Sequence, residues 1–269
     1  MNIFETILLG VVQGLTEFLP ISSSGHLVIS QHILGFNEPE LLLVSSLHLG
    51  TLLAVCLYFR DDIKSIGEEL YYLAGHTGEI GQKGKYPHAS IALWVIVGSI
   101  PSAVIWLFLK EDIEVMFGSV PVVGFMLIFT GLILSVARVT KDRNSKRETI
   151  GLLIALAVGM AQGLALLPGI SRSGTTIVCG LLLGLDRTFA GRFSFLLSIP
   201  AIIGAVLLNF NITELEKVGV TPLVIGFLIS SVVGIISLKL LMGMVKKGRI
   251  YYFTPYCLAL GAVVIFLSW

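Results

Sequence analysis

Arg172 stands in the stretch PGISRSGTT, Pro168 to Thr176, with long apolar runs on either side. A guanidinium in hydrocarbon is costly and rarely persists there without a partner or a function. Gly169 and Gly174 allow close approach of the backbone to a ligand. Ser171, Ser173, Thr175 and Thr176 bring hydroxyls and amides to what should be the start of a helix, where the dipole is positive. A planar fork of donors beside such amides matches a phosphate group in shape and in charge. The plainer accounts are a structural salt bridge for Arg172 and helix capping for the hydroxyls, Thr176 above all. Their combination in one short segment favours an anion cradle.

A second polar stretch, QGLTEFLPISSSGH from Gln13 to His26, carries complementary groups. Gln13 and Glu17 are spaced i, i+4, so on a helix both face one side and can converge on a ligand or a cation. An intramembrane carboxylate is a functional candidate by default; pairing with Arg172 for structure alone is the competing account. His26 follows a serine-rich turn and can act as general acid, base or nucleophile, or simply hydrogen-bond in the core. Ser22, Ser23 and Ser24 include a candidate nucleophile, with the others reading as caps. The candidates for chemistry are therefore Glu17, Ser23, His26 and Arg172. Those for ligand binding are Gln13, Ser22, Gly169, Ser171, Ser173, Gly174 and Thr176. His48, about one turn inside the next apolar run, ranks behind them.

The rest of the chain indicates where these groups sit. Its 269 residues are 55% hydrophobic and 13% charged, with a mean hydropathy of +0.92, far outside the range of soluble domains. The apolar runs are long enough, at about 20 residues, to cross a hydrocarbon core of about 30 Å as helices. The alternating pattern of an outer-membrane barrel is absent. The expectation is an all-α integral membrane protein forming one membrane domain over residues 1–269. A net charge of +1 gives no case for a nucleic-acid partner. Cys56, Cys179 and Cys257 lie singly in apolar segments and read as packing residues, not as a disulfide frame or a metal site. The opening MNIFETILLG lacks the basic region and cleavage site of a signal peptide and should be retained. The NIT at Asn211 is too short a pattern to carry weight.

Six runs read as full spans: 41–59, 90–109, 119–138, 190–209, 220–243 and 251–269. Residues 3–34 and 150–184 are apolar at both ends but broken in the middle by Pro, Gly and Ser, so each half is too short to span. These two regions match without a gap. Gln13 pairs with Gln162, Gly14 with Gly163, Ser22 with Ser171, Ser24 with Ser173 and Gly25 with Gly174, always at the offset 162 − 13 = 149. The same register sets Ser23 opposite Arg172, Glu17 opposite Leu166 and His26 opposite Thr175. It indicates two repeats, about 1–140 and 150–269. Basic residues around 138–147 and 246–249 place those connections in the cytoplasm; acidic ones near Glu111 and Glu214 place theirs outside. Threading the spans through these assignments inverts the second repeat relative to the first. Two re-entrant helical hairpins then enter from opposite faces and meet near the midplane, with the C-terminus outside. The connection at 60–89 is mixed in charge and carries no motif.

QGLTE, with Gln13 and Glu17, matches an (E/Q)xxxE motif; PGISRSGTT matches PGxSRSxxT in full; SSSGH supplies a serine and histidine stretch between them. In these motifs, and in length and span count over nearly the whole chain, the sequence resembles the undecaprenyl pyrophosphate phosphatases, also called bacitracin resistance proteins, of bacterial inner membranes. The resemblance implies hydrolysis of a C55 isoprenyl diphosphate to the monophosphate and inorganic phosphate. It also implies a site opening to the periplasm and a divalent cation, Mg or Ca. Gln13 leaves Glu17 as the only carboxylate in the motif. A cation held largely by the substrate's diphosphate, with Glu17 as its protein ligand, therefore suits the chain better than an all-protein cage. Phosphoryl transfer would assign Arg172, Ser171, Ser173 and Thr176 to the diphosphate and Glu17 to the cation or the nucleophile. Attack would come from Ser23 or from a water held by Glu17 and His26. Inverted repeats with broken helices also build secondary transporters and lipid flippases, which is the rival reading. The expected partners are the polyprenyl diphosphate lipid and the bilayer, and a homodimer is left open.

Overall fold

The computed structural model describes residues 2–36, 41–76, 86–140, 145–209 and 218–268, and these fold into eleven α-helices. Helices α1 (Ile3–Thr16) and α2 (Ser23–Ile33) flank the first polar turn. Asn2 and Glu5 close a capping box at the start of α1, and the Ser22 hydroxyl accepts from the Gly25 amide at 3.2 Å to cap α2. Six further helices are long and apolar enough to cross a membrane. They are α3 (Leu41–Tyr58), α5 (Pro87–Phe117), α6 (Val120–Val136), α9 (Arg187–Asn209), α10 (Val220–Lys246) and α11 (Thr254–Leu267). Single turns of 3-10 helix at Ala137–Thr140 and Ile250–Phe253 lengthen α6 and α11. Between α6 and α9, α7 (Leu152–Leu164) and α8 (Arg172–Leu182) flank the second polar turn, with Ser171 capping Gly174 at 3.1 Å. At about 1.5 Å per residue, α1, α2, α7 and α8 are each shorter than a hydrocarbon core of about 30 Å.

Within the connection at 60–89, residues Arg60–Gly75 form a helix, α4, that the sequence alone does not specify. Asp61 and Asp62 occupy its first turn, where the helix dipole favours them, and Lys64 pairs with Glu68 one turn on at 3.7 Å. Arg192 of α9 pairs with Asp62, and Ile63 and Ile66 pack against the core. The Glu69 carboxylate accepts from the Ala89 amide at 2.8 Å, tying α4 to the first turn of α5. The acidic cluster of Glu111, Asp112 and Glu114 lies on α5 itself, which runs on to Phe117, where the sequence had suggested a loop. Asn211, Glu214, Glu216, Lys141 and Arg143 fall outside the described residues.

Small residues let the helices close up. A methyl group added at Gly14 of α1 would lie 2.8 Å from Val233 Cβ and 3.0 Å from the Ser230 carbonyl of α10. Gly98 of α5 meets the Ala155 carbonyl of α7 in the same way, at 3.1 Å. Both are small-residue contacts of the kind that substitutes for hydrophobic drive in lipid. The main buried cluster holds Phe18 and Ile21 of the first turn together with Leu134, Ile177, Phe193, Phe195 and Leu238, so the core surrounds the broken segments.

Non-helical backbone inside such a core needs partners for its peptide groups. The Thr130 hydroxyl of α6 donates to the Gly169 carbonyl at 2.8 Å and accepts from the Ser171 amide at 3.0 Å. Gly169 itself sits at φ 99, and a Cβ there would lie 2.6 Å from the Val123 carbonyl, so only glycine fits. On the first turn, the Ser173 hydroxyl donates to the Phe18 carbonyl at 2.9 Å, and the Cys257 thiol approaches the Pro20 carbonyl at 3.7 Å. Replacing Thr130 by Val, similar in shape but without the hydroxyl, leaves one buried donor and one buried acceptor unpaired. The expected cost is about 1–3 kcal/mol, read as a lower melting temperature in detergent; an unchanged melt would refute this role for Thr130.

Candidate active site

Glu17 opens the α1–α2 turn as the cap of α1 and is buried, with its side chain only 7% exposed. One carboxylate oxygen, Oε1, accepts from Arg172 Nη2 at 2.6 Å, across 155 positions of sequence. The other, Oε2, accepts from the Ser23 hydroxyl at 2.6 Å and from Gln13 Nε2 at 3.2 Å. His48 of α3 presents Nε2 to the same oxygen at 3.8 Å, while its Nδ1 donates to the Val44 carbonyl at 2.8 Å. Glu17, Ser23, Arg172 and Gln13 thus form one hydrogen-bonded cluster, with His48 at its edge.

Two polar atoms in this cluster are buried and have no hydrogen-bond partner among the described residues: Arg172 Nη1 and Gln13 Oε1. One donor and one acceptor are therefore left over beside the Glu17 carboxylate. Arg172 is steadied from below by the Phe195 ring, whose centroid lies 5.8 Å from the guanidinium carbon. Gln13 is turned by Thr51, whose hydroxyl stands 3.5 Å from Nε2.

The hydroxyls of the second turn are committed within the protein. Thr176 donates to the Arg172 carbonyl at 2.7 Å and meets the Ser194 hydroxyl at 2.6 Å. Ser173 donates to Phe18, and Ser171 meets the Ser173 hydroxyl at 3.3 Å while capping Gly174. Gly174 packs against Pro20 Cβ at 3.2 Å in the added-methyl sense, so the two broken segments touch at this point. The Gly174 amide is held by the Ser171 hydroxyl and the Thr175 amide by the Ser171 carbonyl, so what the start of α8 retains for an anion is the Arg172 and Ser173 amides and Arg172 Nη1. Ser22 lies in the left-handed region at φ 70, with its hydroxyl 3.2 Å from that of Ser24. His26, one turn into α2, does not join the Glu17 cluster through any hydrogen bond; its ring nitrogens meet the Ser22 carbonyl and the Tyr256 hydroxyl, both at 2.7 Å.

A family described as Bacitracin resistance protein BacA matches residues 6–263 of the chain. This chain belongs to that family. Among similar proteins is one named Undecaprenyl-diphosphatase from Desulforapulum autotrophicum, 44% identical over 98% of this chain and 98% of its own length. Another of that name, from Desulfosudis oleivorans, is 44% identical over 100% of this chain and 99% of its own. A third, from Methanosphaera stadtmanae, is 39% identical over 100% and 99%. The family match spans every candidate residue from Gln13 to Thr176, and Tyr256 as well.

A divalent cation at this site would have to be shared with a bound diphosphate. Among the described residues, no three His, Cys, Asp or Glu side chains gather to hold a metal. The Glu17 carboxylate and the unpartnered Gln13 Oε1 are two adjacent oxygen donors, suited to a hard cation that draws its other ligands from a diphosphate. Thr51, Phe195, Thr130 and Tyr256 carry no motif, and sequence reasoning passed over them. Only Thr51, three residues after His48, shares a helix face with a residue already suspected.

Proposed function

We propose that this chain is an undecaprenyl-diphosphatase, cleaving the terminal phosphoanhydride bond of a C55 isoprenyl diphosphate to give the lipid monophosphate and inorganic phosphate. The family and the full-length relatives support the activity. The observation that carries the site is the 2.6 Å contact of Arg172 with Glu17, whose second oxygen accepts from Ser23. Arg172 Nη1 and the amides at the start of α8 bind the diphosphate and the charge that grows on its equatorial oxygens. Ser23 Oγ attacks the terminal phosphorus as its proton passes to Glu17 Oε2. The bridging P–O bond breaks, and the carboxyl returns the proton to the departing monophosphate. A water oriented by His26 then attacks the phosphoserine, gives its proton to Glu17, and the Ser23 oxygen recovers a proton as inorganic phosphate leaves. A Mg or Ca ion, held by Glu17, Gln13 and the diphosphate, would neutralise phosphate charge.

The architecture is read as two inverted repeats, with α1–α2 and α7–α8 as re-entrant hairpins. The constant offset supports it: α7 begins 152 − 3 = 149 residues after α1, and α8 begins 172 − 23 = 149 after α2. So does the exchange of partners, in which α1 of the first half packs on α10 of the second and α7 of the second packs on α5 of the first. The protein lies in the bacterial inner membrane with the site opening to the periplasm. Purified protein in detergent, with no compartments for transport, is expected to release phosphate from a polyprenyl diphosphate. A chelator should stop the release, and Mg or Ca should restore it. In sealed right-side-out vesicles, externally added substrate should be cleaved. No release in detergent would favour a carrier, chelator-resistant release would remove the cation, and cleavage only of internal substrate would reverse the orientation.

A further inference from the structure

We infer that Tyr256 is a positioning residue for His26, and through it for the turn on which Ser23 stands. His26 Nδ1 lies 2.7 Å from the Ser22 carbonyl oxygen. A carbonyl has no proton to give, so Nδ1 is the nitrogen that carries hydrogen. In the neutral ring Nε2 then keeps its lone pair, and the Tyr256 hydroxyl, 2.7 Å away, donates to it. The two rings lie within 7° of parallel, with centroids 5.8 Å apart. A residue of α11, the last helix, thereby fixes the tautomer, the ring plane and the outward nitrogen of a residue near the start of the chain.

The Ser22 backbone gives this contact its consequence. Among the described residues Ser22 is the one non-glycine residue in the left-handed region, a conformation that persists only where its surroundings hold it. Its hydroxyl is held by the Gly25 amide and its carbonyl by His26 Nδ1. The next residue is Ser23, the first of α2, whose hydroxyl must meet Glu17. Tyr256, His26 and Ser22 form a relay of hydrogen bonds that ends beside the nucleophile. The Tyr256 side chain is about half exposed, so its hydroxyl can give up Nε2 to a water, which donates to the same lone pair, without unpacking a helix. The inference rests on the reading of His26 as a working group of the site.

Tyr256→Phe keeps the ring and removes only the hydroxyl. Phosphate release by purified Y256F, H26A and the double variant, each with a melting curve, tests the relay. Y256F is expected to lower kcat about tenfold, the worth of one hydrogen bond in the transition state, with KM within about twofold and an unchanged melt. In the H26A background the same change should have no further effect, because a residue that acts through His26 has nothing left to act on. Wild-type kcat in Y256F, or an equal fall in both backgrounds, with or without a lowered melt, would overturn the inference. H26A at full turnover would instead defeat the reading of His26 itself, and the inference with it; an impaired H26A beside a fully active Y256F defeats the inference alone.

Discussion

Arg172→Lys is expected to lower phosphate release at least about 10²-fold, close to 2.7 kcal/mol of transition-state stabilisation, while the protein still folds. The guanidinium has two tasks. Nη2 is spent on Glu17 at 2.6 Å, and Nη1 is buried with no partner among the described residues, the atom left over for an anion. A lysine ammonium is a single point charge. It can satisfy Glu17 or the diphosphate, but it cannot span both as a planar fork does. Lysine is the informative replacement because it keeps the positive charge. Removing the charge would strand the Glu17 carboxylate, and breaking a buried pair costs about 3–5 kcal/mol in stability, which would mix a folding defect with a catalytic one. The measurement is kcat in detergent on protein of wild-type melting temperature. Turnover within threefold of wild type would remove the fork from the mechanism.

How much of this could be read from the chain follows from the physics of each part. The broken segments were legible because Pro, Gly and Ser inside an apolar run leave a helix few ways to continue, and both turns lie within the expected interruptions. Glu17 and Arg172 were legible as residue types too costly for lipid. Their 2.6 Å contact is a tertiary fact that residue types alone could not measure. His48 and Thr51 were harder, since the face an apolar span turns inward is set by the neighbours it packs on, here α10, α9 and α1. Phe195 and Tyr256 were illegible: one aromatic among apolar residues looks like any other until a ring is found under a guanidinium or against an imidazole. Capping and ligation also use the same atoms. The hydroxyls of Ser171, Ser173 and Thr176 turn out to be bound to the protein itself, a distinction that spacing cannot draw. Helix α4 was missed because its support is tertiary, through Asp62 to Arg192 and Glu69 to the α5 amide.

Ser23→Ala separates the two nucleophiles that sequence alone left open. The Ser23 hydroxyl donates to Glu17 Oε2 at 2.6 Å, so the residue already stands against the carboxylate that would take its proton. A group with no chemical task could be replaced here at modest cost, because Glu17 keeps Arg172 and Gln13. If Ser23 forms the covalent intermediate, S23A is expected to lose at least about 10³-fold in kcat with little change in KM, since the substrate's charge is still met by Arg172. Glu17→Gln should fall comparably, because the amide cannot take the serine proton, and combining it with S23A should cost little more, as groups that act as one unit are not additive. Acid quenching of the wild type with substrate labelled in the terminal phosphate should leave label on the protein, and S23A should carry none. A tenfold loss or less in S23A, with no label trapped on the wild type, would assign the attack to a water held by Glu17 and reduce Ser23 to a hydrogen-bond partner of the carboxylate.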